Sequence, residues 1–157
     1  MAYLISEEAQ DLLKDVKRFC ENEVVEQCKE YDRSGEWPKE IYDKAIEQGY
    51  HALEVPEEYG GPGLSRVDVA ALIEEMAIAD AGFATTISAS GLGTKPVLIA
   101  GSEEQKKRVC DIILEGGFGA FCLTEPGAGS DASAGKTTAV LDGDEYVLNG
   151  RKCFITN

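Results

Sequence analysis

Ala120-Phe121-Cys122-Leu123-Thr124-Glu125-Pro126-Gly127-Ala128-Gly129-Ser130-Asp131 is the stretch where the chain changes character. From Phe118 to Leu123 the residues are apolar and aromatic, a strand-like composition. The rest is a turn made permissive by Pro126, Gly127 and Gly129, with the hydroxyls of Thr124 and Ser130 on either side. Upstream, apolar residues recur with a helical period; downstream, they fall in short strand-like runs. The pattern predicts an α+β chain that is mainly α, a helical bundle followed by the first strands of a β-structure.

Working upstream, Ser102 and Gln105 form a capping box for a helix from Glu103 to Leu114, ended by Gly116-Gly117. Pro96 is expected to open a short helix that ends at Gly101. The run from Asp80 to Gly93 is rich in small residues (Ala81, Gly82, Ala84, Ser88, Ala89, Ser90). That composition suits either a tightly packed buried helix or one that leaves room for a ligand. Ser65 and Asp68 start a helix with Val69, Leu72, Ile73 and Met76 on its buried face. Glu54 to Gly63, with two prolines and three glycines, reads as a shaped loop. Pro38 opens a helix through Ile41, Tyr42, Ala45 and Ile46, stopped by Gly49. Ser6 caps the first helix, whose stripe of Ala9, Leu12, Leu13, Val16, Phe19, Cys20 and Val24 predicts a course to about Tyr31.

Working downstream, Thr137 to Leu141 has strand composition, Asp142-Gly143 makes a turn, and Glu145 to Leu148 follows. Asn149-Gly150 is a strong hairpin signal, so Lys152 to Thr156 is expected to return as another strand.

The 157 residues carry 29 Asp and Glu against 15 Lys and Arg, a net charge of −14. An acidic field repels nucleic-acid phosphates, so nucleic acid is not an expected partner. No run of 18 apolar residues occurs, so no membrane-spanning helix is expected. The start, Met1-Ala2-Tyr3-Leu4, lacks the basic region of a secretory leader. Cys20, Cys28, Cys110, Cys122 and Cys153 contain no Cys-x-x-Cys pair, and the only histidine is His51. The cysteines read as reduced, small hydrophobes and His51 as structural; no metal site is expected.

The Thr124 to Asp131 turn carries the chemistry. Glycines let backbone N–H groups approach a ligand closely, and the two hydroxyls add directed hydrogen bonds. That set suits a phosphate or the edge of a heterocycle. It matches neither Gly-x-Gly-x-x-Gly nor a P-loop, and the same residues also serve an ordinary strand-to-strand turn.

The string from Phe121 to Asp131, with Gly143 to Lys152 and Phe154-Ile155-Thr156-Asn157, closely resembles the acyl-CoA dehydrogenase family. Pro56-Glu57-Glu58-Tyr59-Gly60-Gly61-Pro62-Gly63 and Gly101 to Lys106 resemble it too, in the same order. The resemblance implies a helical N-terminal domain over 1–117 and the start of a middle β-domain, barrel-like and incomplete here, over 118–157. A C-terminal helical domain would lie beyond Asn157. It implies FAD as cofactor, an acyl-CoA substrate desaturated between Cα and Cβ, and an electron-transfer flavoprotein as electron acceptor. It also implies a homo-oligomer, a tetramer in the parent enzyme. The start, without a transit-like, Arg-rich amphipathic segment, leads us to expect a bacterial cytoplasm rather than a mitochondrion. Asp131-Ala132-Ser133-Ala134-Gly135 leans toward short-chain, butyryl-CoA-like members.

By that resemblance Phe121, Cys122, Leu123, Thr124, Glu125, Pro126, Gly127, Ala128, Gly129 and Ser130 line the FAD. Leu123 and Thr124 fall near the isoalloxazine, and Gly129 and Ser130 near the phosphate-bearing arm. Ser130 also faces the acyl-CoA. Phe154, Ile155 and Thr156 run beside the ring, Phe154 standing where many members have Trp. The acyl pocket is bounded by helices in the region Glu75 to Ser90. The family's catalytic glutamate lies in the C-terminal domain, so no catalytic residue is assigned, Glu125 included, and the chain alone is expected to be inactive. Two alternatives remain at this stage. One is an acyl-CoA oxidase or flavin monooxygenase relative; the other is a non-catalytic helical module that binds an acyl-CoA or a partner protein.

Overall fold

The computed structural model describes residues 5–157; Met1 to Leu4, read above for a leader, lie outside the described residues. Helix α1 (Glu7–Phe19) begins where Ser6 Oγ accepts the Ala9 N–H at 3.1 Å. It passes through a π segment (Cys20–Val24) into α2 (Val25–Ser34), which ends at Gly35 in the left-handed conformation. The expected first helix therefore runs a few residues past Tyr31. Pro38 stands as N-cap of α3 (Lys39–Glu47), and Gly49 at φ +77° turns the chain into a 3₁₀ turn, Tyr50–Ala52. Another 3₁₀ turn, Glu57–Tyr59, punctuates the expected loop.

Helix α4 (Arg66–Ala79) starts at the predicted capping box. Asp68 does more than cap: its Oδ1 also accepts the Ser6 N–H at 2.8 Å, joining the starts of α1 and α4. Helix α5 runs unbroken from Ala81 to Ala100, capped by Asp80 Oδ1 on the Phe83 N–H at 2.7 Å. Pro96 therefore opens no new helix but lies inside α5. A proline costs the helix one N–H bond and crowds the preceding turn. That turn contains Gly93, and Pro96 falls in the last stretch of a helix whose buried residues, Phe83 to Thr94, hold it by packing. Helix α6 (Glu103–Leu114) starts at the Ser102–Gln105 capping box, as its residues predict.

Val16, Cys20 and Val24 from the first helical run meet Ile41 and Tyr42 of α3, Leu72 and Met76 of α4, and Phe83 and Ile87 of α5. Each fully buried large side chain contributes about 1.5–3 kcal/mol. The rings of Phe19, Tyr42, Tyr50 and Phe83 interlock at centroid distances of 5.3–6.1 Å. Lys and Arg on exposed helix faces pair with acids three or four residues away, as Lys14 does with Asp11 and Lys107 with Asp111. Such pairs are each worth less than about 1 kcal/mol, so the charge surplus marks solvated faces rather than a site.

Beyond α6, strands β1 (Thr138–Asp142) and β2 (Glu145–Asn149) form an antiparallel hairpin in register Thr138↔Asn149 to Asp142↔Glu145, with Gly143 at φ +62° in the turn. The plan is thus mostly helical, followed by an opening β-element. Two expected strands are not formed. Phe118 to Leu123 joins no ladder, because the end of the chain that runs beside it meets it through isolated bonds only. Lys152 to Thr156 does not fold back on β2, and Gly150 is not in the left-handed conformation a tight turn at Asn149-Gly150 requires. Gly150 is small for another reason. A Cβ there would come within 2.1 Å of Thr137 Oγ1 and 2.7 Å of Thr137 Cα. The chain crosses Thr137 and continues away from the hairpin.

Candidate functional site

The segment after α6 is held against α5 by close backbone contact. The Gly119 N–H donates to Ser90 Oγ at 3.3 Å, and Ser90 is fully buried. A Cβ on Gly93 would stand 2.6 Å from Ala120 N, and one on Gly119 would stand 2.7 Å from Ser90 O. Of the two readings of the small-residue run, tight packing holds at Ser90 and Gly93. Ala84 lies in the core, and the Ser88 hydroxyl donates to Thr85 O. The Phe118 ring meets Tyr42 edge-on at 6.1 Å and fixes the segment's start.

At Glu125 the chain makes a closed turn. Glu125 and Ala128 exchange both backbone hydrogen bonds, at 3.0 and 3.1 Å, leaving Pro126 and Gly127 exposed at the tip. Ala128 packs inward, while Gly129, Ser130 and Asp131 return to the surface before the 3₁₀ turn Ala132–Ala134.

The two stretches singled out in the sequence come together. The Cys153 N–H donates to Thr124 O at 3.0 Å, and Asn157 Nδ2 donates to Gly119 O at 3.1 Å. These two contacts give 153–157 an antiparallel course alongside 119–124. Asn157 also donates to Thr86 O at 3.2 Å, tying the strip to α5. Phe121, Cys122, Leu123, Phe154 and Thr156 are exposed, while Thr124 and Ile155 are half-buried. Phe154 is 95% exposed and takes φ +56°, a conformation that costs a side-chain-bearing residue about 1–2 kcal/mol. An aromatic ring held strained and in water is out of place in a purely structural role. The loop's hydrogen bonds leave the hydroxyls of Thr124, Ser130 and Thr156 without a side-chain partner among the described residues.

Gly127 and Gly129 are informative because neither backbone conformation nor contact among the described residues requires them. Neither takes a positive φ, and a Cβ on either would meet no atom within 4 Å. Turn geometry and internal packing thus leave both positions free.

Glu125 is different from its neighbours. It is only 7% exposed, and its carboxylate accepts the Lys136 N–H at 2.6 Å, the Thr137 N–H at 3.0 Å and Lys152 Nζ at 2.9 Å. Its pKa lies below the ordinary carboxylate range. The nearby Thr137 hydroxyl, though outside good hydrogen-bond geometry, favours the anion most, followed by the Lys136 N–H, Lys152 and the Thr137 N–H. A carboxylate so occupied is a poor proton acceptor. The sequence reading missed this arrangement, and with it Lys152 and Asn157. The only signal available was two opposite charges, 27 residues apart.

His51 is buried, its Nε2 2.7 Å from Ile113 O, and among the described residues no titratable partner orients it for catalysis. Cys20, Cys28 and Cys110 are buried, and burial raises all three thiols, to about 11 for Cys20 and Cys28. Two grooves open on the helical part, one of about 450 Å³ between α5 and α6 and one of about 1220 Å³ between α4, α5 and the loop after Glu54. Neither is lined by residues of 118–157. Among the described residues no cluster of His, Cys, Asp and Glu could hold a metal ion, and no helix is long and apolar enough to cross a membrane.

Comparison with known proteins gives two matches to family models: the acyl-CoA dehydrogenase N-terminal domain over residues 6–117 and the acyl-CoA dehydrogenase middle domain over 120–157. A Bacillus subtilis (strain 168) protein named "Probable acyl-CoA dehydrogenase YngJ" is 38% identical over 100% of this chain and 42% of its own length. The solved butyryl-CoA dehydrogenase from Megasphaera elsdenii superposes with a TM-score of 0.89, is 37% identical and covers 99% of this chain and 42% of its own. An acyl-CoA dehydrogenase from Bacillus anthracis, solved in complex with FAD, superposes with a TM-score of 0.82. It is 40% identical over 98% of this chain and 27% of its own. The chain spans about two-fifths of the curated relatives it matches.

Proposed function

This chain belongs to the acyl-CoA dehydrogenase family, and from that premise we propose that its two adjoining strips form one wall of an FAD site for acyl-CoA desaturation. The observation that carries the reading is the pair Gly127 and Gly129. Neither conformation nor packing calls for glycine there, and a ligand lying against the backbone does. The donor set also fits FAD. Phe121, Leu123 and Phe154 offer exposed apolar surface to a flat ring, and free hydroxyls and glycine N–H groups offer hydrogen bonds to a diphosphate.

On this reading Leu123, Thr124, Phe154, Ile155 and Thr156 flank the ring, while Gly129 and Ser130 bind the phosphate-bearing arm. Ser130 also meets the CoA thioester. Glu125 and Ala128 contribute backbone only, since both side chains are buried. Bound FAD supplies the two-electron acceptor chemistry of the reaction. The chain's own residues orient it and keep one face dry. Residues 1–117 form the helical domain and 118–157 the opening of the β-domain. The substrate is a short-chain acyl-CoA, the electron acceptor an electron-transfer flavoprotein, and the assembly a homo-oligomer.

Glu125, the acid buried beside the strips, is not suited to remove a proton, because it is held as a fully bonded anion. These 157 residues alone are therefore expected to be inactive. In the test, the purified chain is titrated with FAD and then assayed with butyryl-CoA and a dye acceptor. Flavin fluorescence quenching without turnover is expected. Turnover that follows the chain through fractionation overturns the inactivity, and unquenched flavin overturns the cofactor site.

A further inference from the structure

Glu125 and Lys152 close a knot between three stretches of chain. Lys152 Nζ donates to Glu125 Oε1 at 2.9 Å and to Leu123 O at 3.0 Å. Glu125 reaches on to the N–H groups of Lys136 and Thr137, at the entrance to β1. One residue along, the Cys153 N–H meets Thr124 O at 3.0 Å. Residues 123–125 are thus tied to 152–153 at consecutive positions and to 136–137 through a single carboxylate. With its three partners in place the buried anion's desolvation is offset; without them it is strongly unfavourable.

We propose that Glu125 and Lys152 are positioning residues, whose ion pair sets the register of the 152–156 strip on 121–125 and so decides which side chains face the cofactor. Register matters because side chains alternate: a slip of one residue exchanges the faces. In the present register Phe154 and Thr156 are exposed while Ile155 is half-buried. A one-residue slip presents Ile155 and withdraws the Thr156 hydroxyl. The strip forms no ladder. Besides the knot it is held by the Cys153 backbone bond beside it and, at its far end, by the Asn157 amide on Gly119 O and Thr86 O. The ion pair is thus the charged anchor at the end where the strip begins. The Glu125 carboxylate acts through the fold and not by touching the ligand. The consequence for flavin rests on the FAD reading above; the knot does not.

The experiment has two arms on the full chain. In the first, amide hydrogen exchange is followed at Lys136, Thr137 and Cys153. E125Q is expected to lose protection at all three together, including Cys153, which Glu125 does not touch. Loss confined to Lys136 and Thr137 shows a local bond only and overturns the proposal. In the second, FAD is titrated by fluorescence. E125Q and K152M are each expected to weaken binding by about tenfold or more, with the helical circular dichroism unchanged. The double variant should be no weaker than either single one, and K152R should recover part of the loss. Wild-type flavin affinity in E125Q and K152M overturns the positioning role. If the wild-type chain takes up no FAD, the cofactor reading fails and the first arm alone decides the knot. Should E125Q not fold, K152M is followed in both arms, with exchange at Cys153 the deciding signal.

Discussion

His51 Nε2 lies 2.7 Å from the carbonyl oxygen of Ile113, a contact across 62 residues that joins the Tyr50–Ala52 turn to the end of α6. A carbonyl cannot donate, so Nε2 carries the proton and Nδ1, buried without a partner among the described residues, is bare. Burial lowers the pKa from 6.5, against a smaller opposing pull from the Ile113 carbonyl. The unfolded chain therefore binds the proton more readily than the folded one. The stabilisation is whole above pH 6.5 and is lost as pH falls from there through the folded value. Urea midpoints should drop between about pH 7.5 and about pH 5.5, and His51→Gln should flatten that drop. An unchanged slope in the variant places the titration elsewhere.

Gly150→Ala should destabilise the β-element. The new methyl has nowhere to go between Thr137 Oγ1 and Cα. Overpacking of this kind costs about 1–3 kcal/mol. Here it should appear as faster amide exchange in β1 and β2, with exchange in α1 to α6 unaltered. Thr137→Ala in the same chain should restore only part of it, because the Thr137 Cα remains in the way.

Gly129→Ala should do the opposite. With no atom within reach of the added carbon, stability should stay within about 0.5 kcal/mol of wild type. FAD titration should nevertheless show clear weakening, because the methyl occupies the approach to the backbone. Equal affinity in variant and wild type removes the main support for a ligand at that turn.

Glu125 has its own signature in acid. Folding lowers its pKa from 4.5, so the knot's contribution is complete above that value and disappears only as pH falls below it. By carboxyl-carbon chemical shift, Glu125 should remain ionised at about pH 3.5, where exposed glutamates are mostly protonated. Titration of Glu125 alongside the surface glutamates is the contrary result.

The helix starts were the most legible part of the sequence. Ser6, Ser65 with Asp68, and Ser102 with Gln105 satisfy orphan N–H groups from within four residues, so their chemistry is local. The β1–β2 hairpin was legible for the same reason. Gly150 misled because its smallness serves a crossing over Thr137, a contact between residues 13 apart, and not a turn. Pro96 misled because packing along α5 outweighs what a proline costs locally. Phe118 to Leu123 had the composition of a strand, but its neighbour 153–157 meets it through too few bonds to make a ladder. The turn from Thr124 to Ser130 was recognisable as a place for a ligand. The inward carboxylate in its middle was not, since Glu125 is defined by Lys136, Thr137 and Lys152.

The π segment at Cys20–Val24 settles a question of angular phase. Val16, Cys20, Val24 and Cys28 are all buried, yet they follow one another at intervals of four residues. On a regular α-helix each such step over-rotates by about 40°, so Cys28 would point about 120° away from Val16, off the core. One π insertion absorbs a residue's worth of rotation, about 100°, and brings the stripe back into line. A chain without Asn22 would therefore wind as plain α-helix, Val24 following Cys20 by three residues rather than four and Cys28 lying about 20° from the direction of Val16. The irregularity is the means by which a helix with a four-residue rhythm stays amphipathic for its whole length.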